Sequence, residues 1–153
     1  MPGVPDVYQG TELWDDSLVD PDNRRPVDVS DRIRLLESFS DAPPSIDETG
    51  AAKLWITRHA LRLRLSRPES FISYRPVAAH GAGRDHLVGF DRGGAITLAT
   101  RLPVGLAAAG GWRDTIIKIT TPHTDMLTGR GWNGAVAVQD VLASYPVALL
   151  AAE

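Results

Sequence analysis

A chain of 153 residues can enclose one ordinary core but falls short of the roughly 250 residues that a complete (β/α)8 barrel needs. Its composition, 43% hydrophobic and 23% charged with no cysteine, excludes disulfide staples and thiol chemistry, and no apolar run approaches the roughly 20 residues that cross a bilayer. A formal net charge of −3 lacks the basic footprint that neutralises a phosphate backbone, so no nucleic-acid or membrane partner is expected and neutral ligands such as sugars fit better. The amino terminus carries neither the basic nor the apolar region of a signal peptide, so the expected location is cytoplasmic.

In chain order, the prolines and carboxylates of Pro2 to Asp28 confine any strand to about Val4 to Tyr8, with irregular loop after it. Asp28 or Ser30 can cap a short helix with Ile33, Leu36 and Phe39 on one face, ended by Pro43 and Pro44. Turn formers and acids from Asp41 to Gly50 make a connection, with Ser45 or Asp47 as the next cap. A second helix is expected over Thr49 to Leu65. At 100° per residue, Leu54, Leu61 and Leu65 form one apolar stripe and Ile56, Ala60 and Leu63 another nearly opposite, the pattern of a helix set between two cores. Alternation of Leu61, Leu63 and Leu65 with Arg62 and Arg64 also permits a strand, but the element is long for one and is bounded by helix caps.

Beyond Pro68 the pattern becomes short apolar runs: Leu87 to Phe90, Ala95 to Thr100, Thr115 to Ile119, Ala135 to Val138 and Val147 to Ala151. Gly93-Gly94 and Asn133-Gly134 supply the positive φ of tight hairpins, so neighbouring runs should pair antiparallel. The fold expected is mainly β with helices, a carboxy-terminal antiparallel β-sandwich, in which two sheets pack or one sheet lies on the helices.

The stretch PGVPDVYQGTELWDDSLVDPDNRRPVD, Pro2 to Asp28, is the most specific in the chain. It resembles the end of the catalytic barrel in the maltooligosyl trehalose synthase family of the α-amylase superfamily. The resemblance implies that Gly3 to Gly10 corresponds to the last barrel strand, Val19 to Pro26 to a loop over the active site, and the region from about Phe71 onward to the all-β domain of amylase relatives. It divides the chain into a barrel remnant with its loop (1–28), two linking helices (29–67) and an all-β domain (68–153). In the family a nucleophilic aspartate, an acid glutamate and a third aspartate come from barrel strands four, five and seven. All would precede Met1, so no catalytic residue is expected in this chain, which reads as the carboxy-terminal portion of such an isomerase and as inactive alone. The implied partners are the catalytic barrel and a maltooligosaccharide whose reducing-end α-1,4 linkage becomes α,α-1,1.

By composition alone, the acid-rich loop Asp20 to Pro26 is an ordinary solvated connection with internal ion pairs. With the resemblance, Asp20, Asn23 and Arg24 become candidates for contacts to glucosyl units, since adjacent hydroxyls match an arginine fork or an amide, and Arg25 is a further candidate that could instead anchor the loop. Tyr8 and Trp14 offer flat faces for a pyranose ring, against the alternative of core packing. Glu12 stands where the amylase pattern following a barrel strand often has an acidic residue, for which a structural role is expected, and Gly10 suits close backbone approach at a strand end. No cofactor motif is present, and His59, His80, His86 and His123 lack zinc spacing. A calcium site at Asp15, Asp16, Asp20 and Asp22 is rejected because Pro21 and the missing glycine turn do not fit. Trp112 and Trp132 could form a sugar platform on a stand-alone α-glucan module, although burial between the sheets is the better expectation. A third reading is an interaction or scaffold protein that uses the second stripe of the long helix; without the barrel that stripe must find new cover, and either self-association or a disordered amino-terminal segment is expected.

Overall fold

The computed structural model describes residues 8, 10–16 and 26–153, which divide into two compact units, Gly3–Leu61 and Arg62–Glu153. Apart from Tyr8, the strand expected at Val4 to Tyr8 lies outside the described residues.

In the first unit, helix α1 (Val29–Ser38) is capped by Asp28, whose carboxylate accepts the Asp31 N–H at 3.0 Å. The cap satisfies an amide that has no intrahelical partner. Phe39 leaves the helix in extended conformation. Helix α2 (Ala51–Ser66) starts from a tight connection: the Asp47 carboxylate accepts the Thr49 N–H at 2.9 Å, and the Thr49 hydroxyl accepts the Ala51 N–H at 3.2 Å. Gly50 is required there twice over. Its φ is +74°, and a Cβ would stand 2.8 Å from the Trp14 backbone nitrogen.

The strand alternative for Leu61 to Leu65 is excluded, since α2 runs through these residues. The single stripe of Leu54, Leu61 and Leu65 is corrected: Leu54 is buried, but Leu61 is 47% and Leu65 85% exposed. Of the opposite stripe, Leu63 is buried while Ile56 and Ala60 are half-buried. Trp55 explains the shift, because its large ring, next to Leu54 on the helix, decides which face turns inward. Trp55 is buried, meets Phe39 edge-on with ring centroids 5.3 Å apart and lies 4.3 Å from the His59 ring, with the Arg58 guanidinium 5.8 and 5.9 Å from the Phe39 and Trp55 rings. Aliphatic spacing alone omitted that residue.

The second unit is an antiparallel β domain. Strands β1 (Arg75–Pro76), β2 (Leu87–Asp91), β3 (Ala95–Thr100), β4 (Ile116–Asp125), β5 (Gly131–Ala137) and β6 (Val147–Ala152) form one sheet of order β1-β2-β3-β6-β4-β5. Short helices α3 (Pro103–Ala108) and α4 (Val138–Val141) fill two of the connections. The expected antiparallel domain behind two helices is present, with its strands joined in a continuous curled sheet. Gly93 and Gly94, at φ +109° and +116°, turn β2 into β3 as expected, and the Asp91 carboxylate accepts both of their N–H groups at 2.8 Å.

Asn133-Gly134 is not a hairpin turn. Both residues lie inside β5, where Gly134, at φ +75°, pairs with Ile119 beside the irregularity that shifts register between Ile119 and His123 of β4. A positive φ serves a bulge as well as a turn, and the bulge bends the strand. The β4–β5 turn lies further back, organised by Asp125. Its buried carboxylate accepts the Leu127 N–H at 3.1 Å, the Leu149 N–H at 3.3 Å and the Thr128 hydroxyl at 2.6 Å.

Because the sheet curls, Ile117 and Ile119, before the bulge, join Ile96 and Leu98 of β3, Ala148 and Leu150 of β6, and Val138, Val141 and Leu142 in one core. Trp112 and Trp132 are partly buried against it, and the Arg130 guanidinium lies 4.5 Å from the Trp132 ring centroid. Neither tryptophan is a free-standing platform. No helix among the described residues is long and apolar enough to cross a membrane.

Candidate substrate-facing loop and its base

The described part of the predicted site is a turn, residues 10–16, tied to the two helices of the first unit. Tyr8 begins it, its carbonyl accepting the Thr11 N–H at 3.1 Å and the Thr11 hydroxyl at 2.7 Å. Gly10 is buried at φ +99°, and a Cβ there would meet Val27 Cγ2 at 2.6 Å, so the chain before and after the loop touches at this glycine. The close approach expected of Gly10 is realised, against Val27.

Glu12 accepts the Gly10 N–H at 3.2 Å with one oxygen and the Arg32 Nε–H at 3.0 Å with the other. Arg32 also donates from Nη2 to the Gly10 carbonyl at 2.6 Å and from Nη1 to the Asp28 carbonyl at 2.9 Å. Partial burial pushes the Glu12 carboxyl upward, but the backbone N–H groups of Glu12 and Gly10 and the Arg32 guanidinium outweigh it and hold the group below the usual carboxylate range. Arg32 went unnoticed in the sequence because Glu12 and Gly10 lie 20 and 22 residues before it. The only local signal was its place one turn after the Asp28 cap.

Trp14 is 51% exposed, with its indole N–H donating to the Asp47 carbonyl at 2.7 Å and the Lys53 ammonium 5.7 Å from the ring centroid. That ammonium donates to the Leu13 carbonyl at 2.9 Å, so the ring is oriented from two sides. Tyr8 is 53% exposed. Both aromatic side chains therefore present surface, and neither is core. A shallow cavity of about 450 Å³ lies between Leu13, Thr49 and the α1 residues Asp31, Arg34, Leu35 and Ser38. Asp20, Asn23, Arg24 and Arg25 lie outside the described residues. Among the described residues no group of three His, Cys, Asp or Glu side chains could hold a metal ion.

No family model matches the chain. Across 98% of its length it is 45% identical to a Mycobacterium tuberculosis protein assigned as a maltooligosyl trehalose synthase, covering 19% of that protein. Across 99% it superposes on the structure of maltooligosyltrehalose synthase from Arthrobacter ramosus with a TM-score of 0.96 and 58% identity, covering 20% of that chain. The matched portion is the carboxy-terminal fifth of maltooligosyl trehalose synthases. The crystal structure of a Sulfolobus tokodaii protein described as a hypothetical maltooligosyl trehalose synthase matches 97% of the chain at 31% identity and a TM-score of 0.58, over 18% of its length. The family that Pro2 to Asp28 resembles is thus the one that maltooligosyl trehalose synthases represent over the whole chain, the β domain included. The chain spans about a fifth of the length of these relatives.

Proposed function

We propose that this chain acts as the carboxy-terminal portion of a maltooligosyl trehalose synthase, an isomerase that moves the reducing-end glucosyl unit of a maltooligosaccharide from an α-1,4 to an α,α-1,1 linkage by intramolecular transglucosylation. The observation that carries this reading is the 58% identity and 0.96 TM-score to the Arthrobacter ramosus synthase over 99% of the chain. In such a retaining mechanism two carboxyl groups about 5 to 5.5 Å apart act as nucleophile and as acid and base. Those groups belong to the barrel of the whole enzyme, a cytoplasmic protein, and the 153 residues alone carry no activity.

The contribution of this portion is to the substrate. Asp20, Asn23 and Arg24 contact glucosyl hydroxyls, Arg25 supports them or holds the loop, and Trp14 and Tyr8 offer ring faces. The exposed Trp14 indole, fixed by Asp47 and Lys53, supports a preset surface that loses little entropy when a sugar docks. The loop also helps exclude water while the glucosyl group is transferred, because water would hydrolyse the intermediate. In the full-length synthase carrying this segment, Arg24→Ala is expected to raise hydrolysis relative to trehalosyl product, read by chromatography of maltopentaose digests. An unchanged product ratio together with unchanged substrate affinity refutes the assignment of the loop. Trehalosyl product formed by the purified 153 residues refutes the division of labour.

A further inference from the structure

We propose that one buried water molecule is built into the bend of β4, accepting the Trp132 indole N–H and donating to His123 Nε2, and that this bridge fixes the join between β4 and β5.

The sequence prepares the site with Thr121-Pro122-His123. Proline has no N–H for a ladder, so within a sheet it belongs at an edge or a bulge. β4 is flanked by β6 and β5, and Pro122 falls in the irregularity, where Ile119 to His123 stands opposite only Gly134 to Trp132 of β5. The Thr121 carbonyl lies 2.7 Å from Nδ1 of the His123 ring. A carbonyl only accepts, so Nδ1 carries the proton and the neutral ring presents its lone pair at Nε2.

That Nε2 is sealed from solvent and has no hydrogen-bond partner among the described residues, and the whole of His123 is 4% exposed. The same holds for Trp132 Nε1, which can only donate. The two residues are register partners, so their side chains leave one face of the sheet with Cβ atoms about 4.5–5.5 Å apart. Neither ring is free to turn away. Trp132 packs on the core, and the Arg130 guanidinium, itself donating to the Asp140 carbonyl at 3.2 Å, lies 4.5 Å from its ring centroid. The Thr121 carbonyl holds His123 in the same way.

Buried polar side-chain atoms are in large majority hydrogen-bonded, and here an acceptor and a donor lie side by side without bonding each other. Water accepts and donates at once, and about two to four polar partners hold such a molecule in a protein interior. The bulge interrupts the backbone ladder at this point, and the bridge links the two strands through their side chains instead.

The test is a crystal structure, at a resolution that shows ordered solvent, of the full-length synthase carrying this segment, unsubstituted and with Trp132→Phe. One water within about 3.2 Å of both His123 Nε2 and Trp132 Nε1 is expected, and its loss or displacement in Trp132→Phe. Nitrogen NMR of the histidine-labelled 153-residue chain should show His123 with its proton on Nδ1 and Nε2 bare. A direct N–H···N bond between the two rings, or a dry gap between them, overturns the proposal. So does a proton on Nε2 with Nδ1 bare, or a water that keeps its place unchanged in Trp132→Phe. If Trp132→Phe does not fold, the unsubstituted structure and the tautomer decide the question by themselves.

Discussion

Replacing Asp125 by alanine tests the account of how the β domain is held together. The side chain is 1% exposed, and its carboxylate accepts two backbone N–H groups, from Leu127 in the β4–β5 turn and from Leu149 in β6, as well as the Thr128 hydroxyl. Alanine leaves those two amides without that acceptor. Each stranded buried donor costs about 1–3 kcal/mol, so Asp125→Ala should destabilise by about 3–5 kcal/mol, a large part of a typical 5–15 kcal/mol. Asp125→Asn keeps the carbonyl that both amides use, and its amide can donate to the Thr128 hydroxyl, so it should cost only about 1 kcal/mol. Urea unfolding of the chain, followed by tryptophan fluorescence and read as a shift in midpoint at unchanged slope, measures both. A cost below about 1 kcal/mol for alanine, or equal costs for the two variants, refutes the argument that amide satisfaction is what Asp125 supplies.

Other expectations follow from single features. Gly50→Ala forces a side chain into φ +74° and against the Trp14 nitrogen, and should lower stability by at least about 2 kcal/mol in a thermal melt; a neutral effect would mean the connection before α2 adjusts freely. Glu12 is depressed in the folded state, so its contribution is present above the unfolded carboxylate range and is lost as pH falls through its folded value. Glu12→Gln should therefore flatten the acid limb of the stability profile, by about 1 kcal/mol for a partly buried pair, and leave neutral pH as the place where the two proteins differ most. Leu65, 85% exposed on α2, should promote self-association of the isolated chain at high concentration; sedimentation should show Leu65→Lys more nearly monomeric, and identical profiles would remove this apolar side chain as the cause.

The strands were readable because their signals are local. Asp91, Gly93 and Gly94 carry a hairpin within four residues, and β2, β3 and β6 begin where apolar runs begin. Misplacement of the β4–β5 turn has a physical source: Asn-Gly signals a positive φ, and the chain used it to bend β5, while Asp125 and Gly129, at φ +73°, built the turn. The orientation of α2 escaped an aliphatic count because Trp55 outweighs Leu61 and Leu65 in buried area. At the site, no periodicity separates a sugar-facing loop from a solvated one, so the resemblance of Pro2 to Asp28 carried that part. Trp14 and Glu12 were legible as residues, but their partners Asp47, Lys53 and Arg32 were not, since each contact spans a long stretch of chain.

The order β1-β2-β3-β6-β4-β5 places β6, the latest of the six in the chain, between strands made well before it. The β2–β3 and β4–β5 hairpins can each close as soon as they emerge from the ribosome, but they share no edge until Val147–Ala152 slots between them. Cooperative assembly of this domain must therefore wait for synthesis of its central stave, and during translation its two halves are separate hairpins seeking a common neighbour.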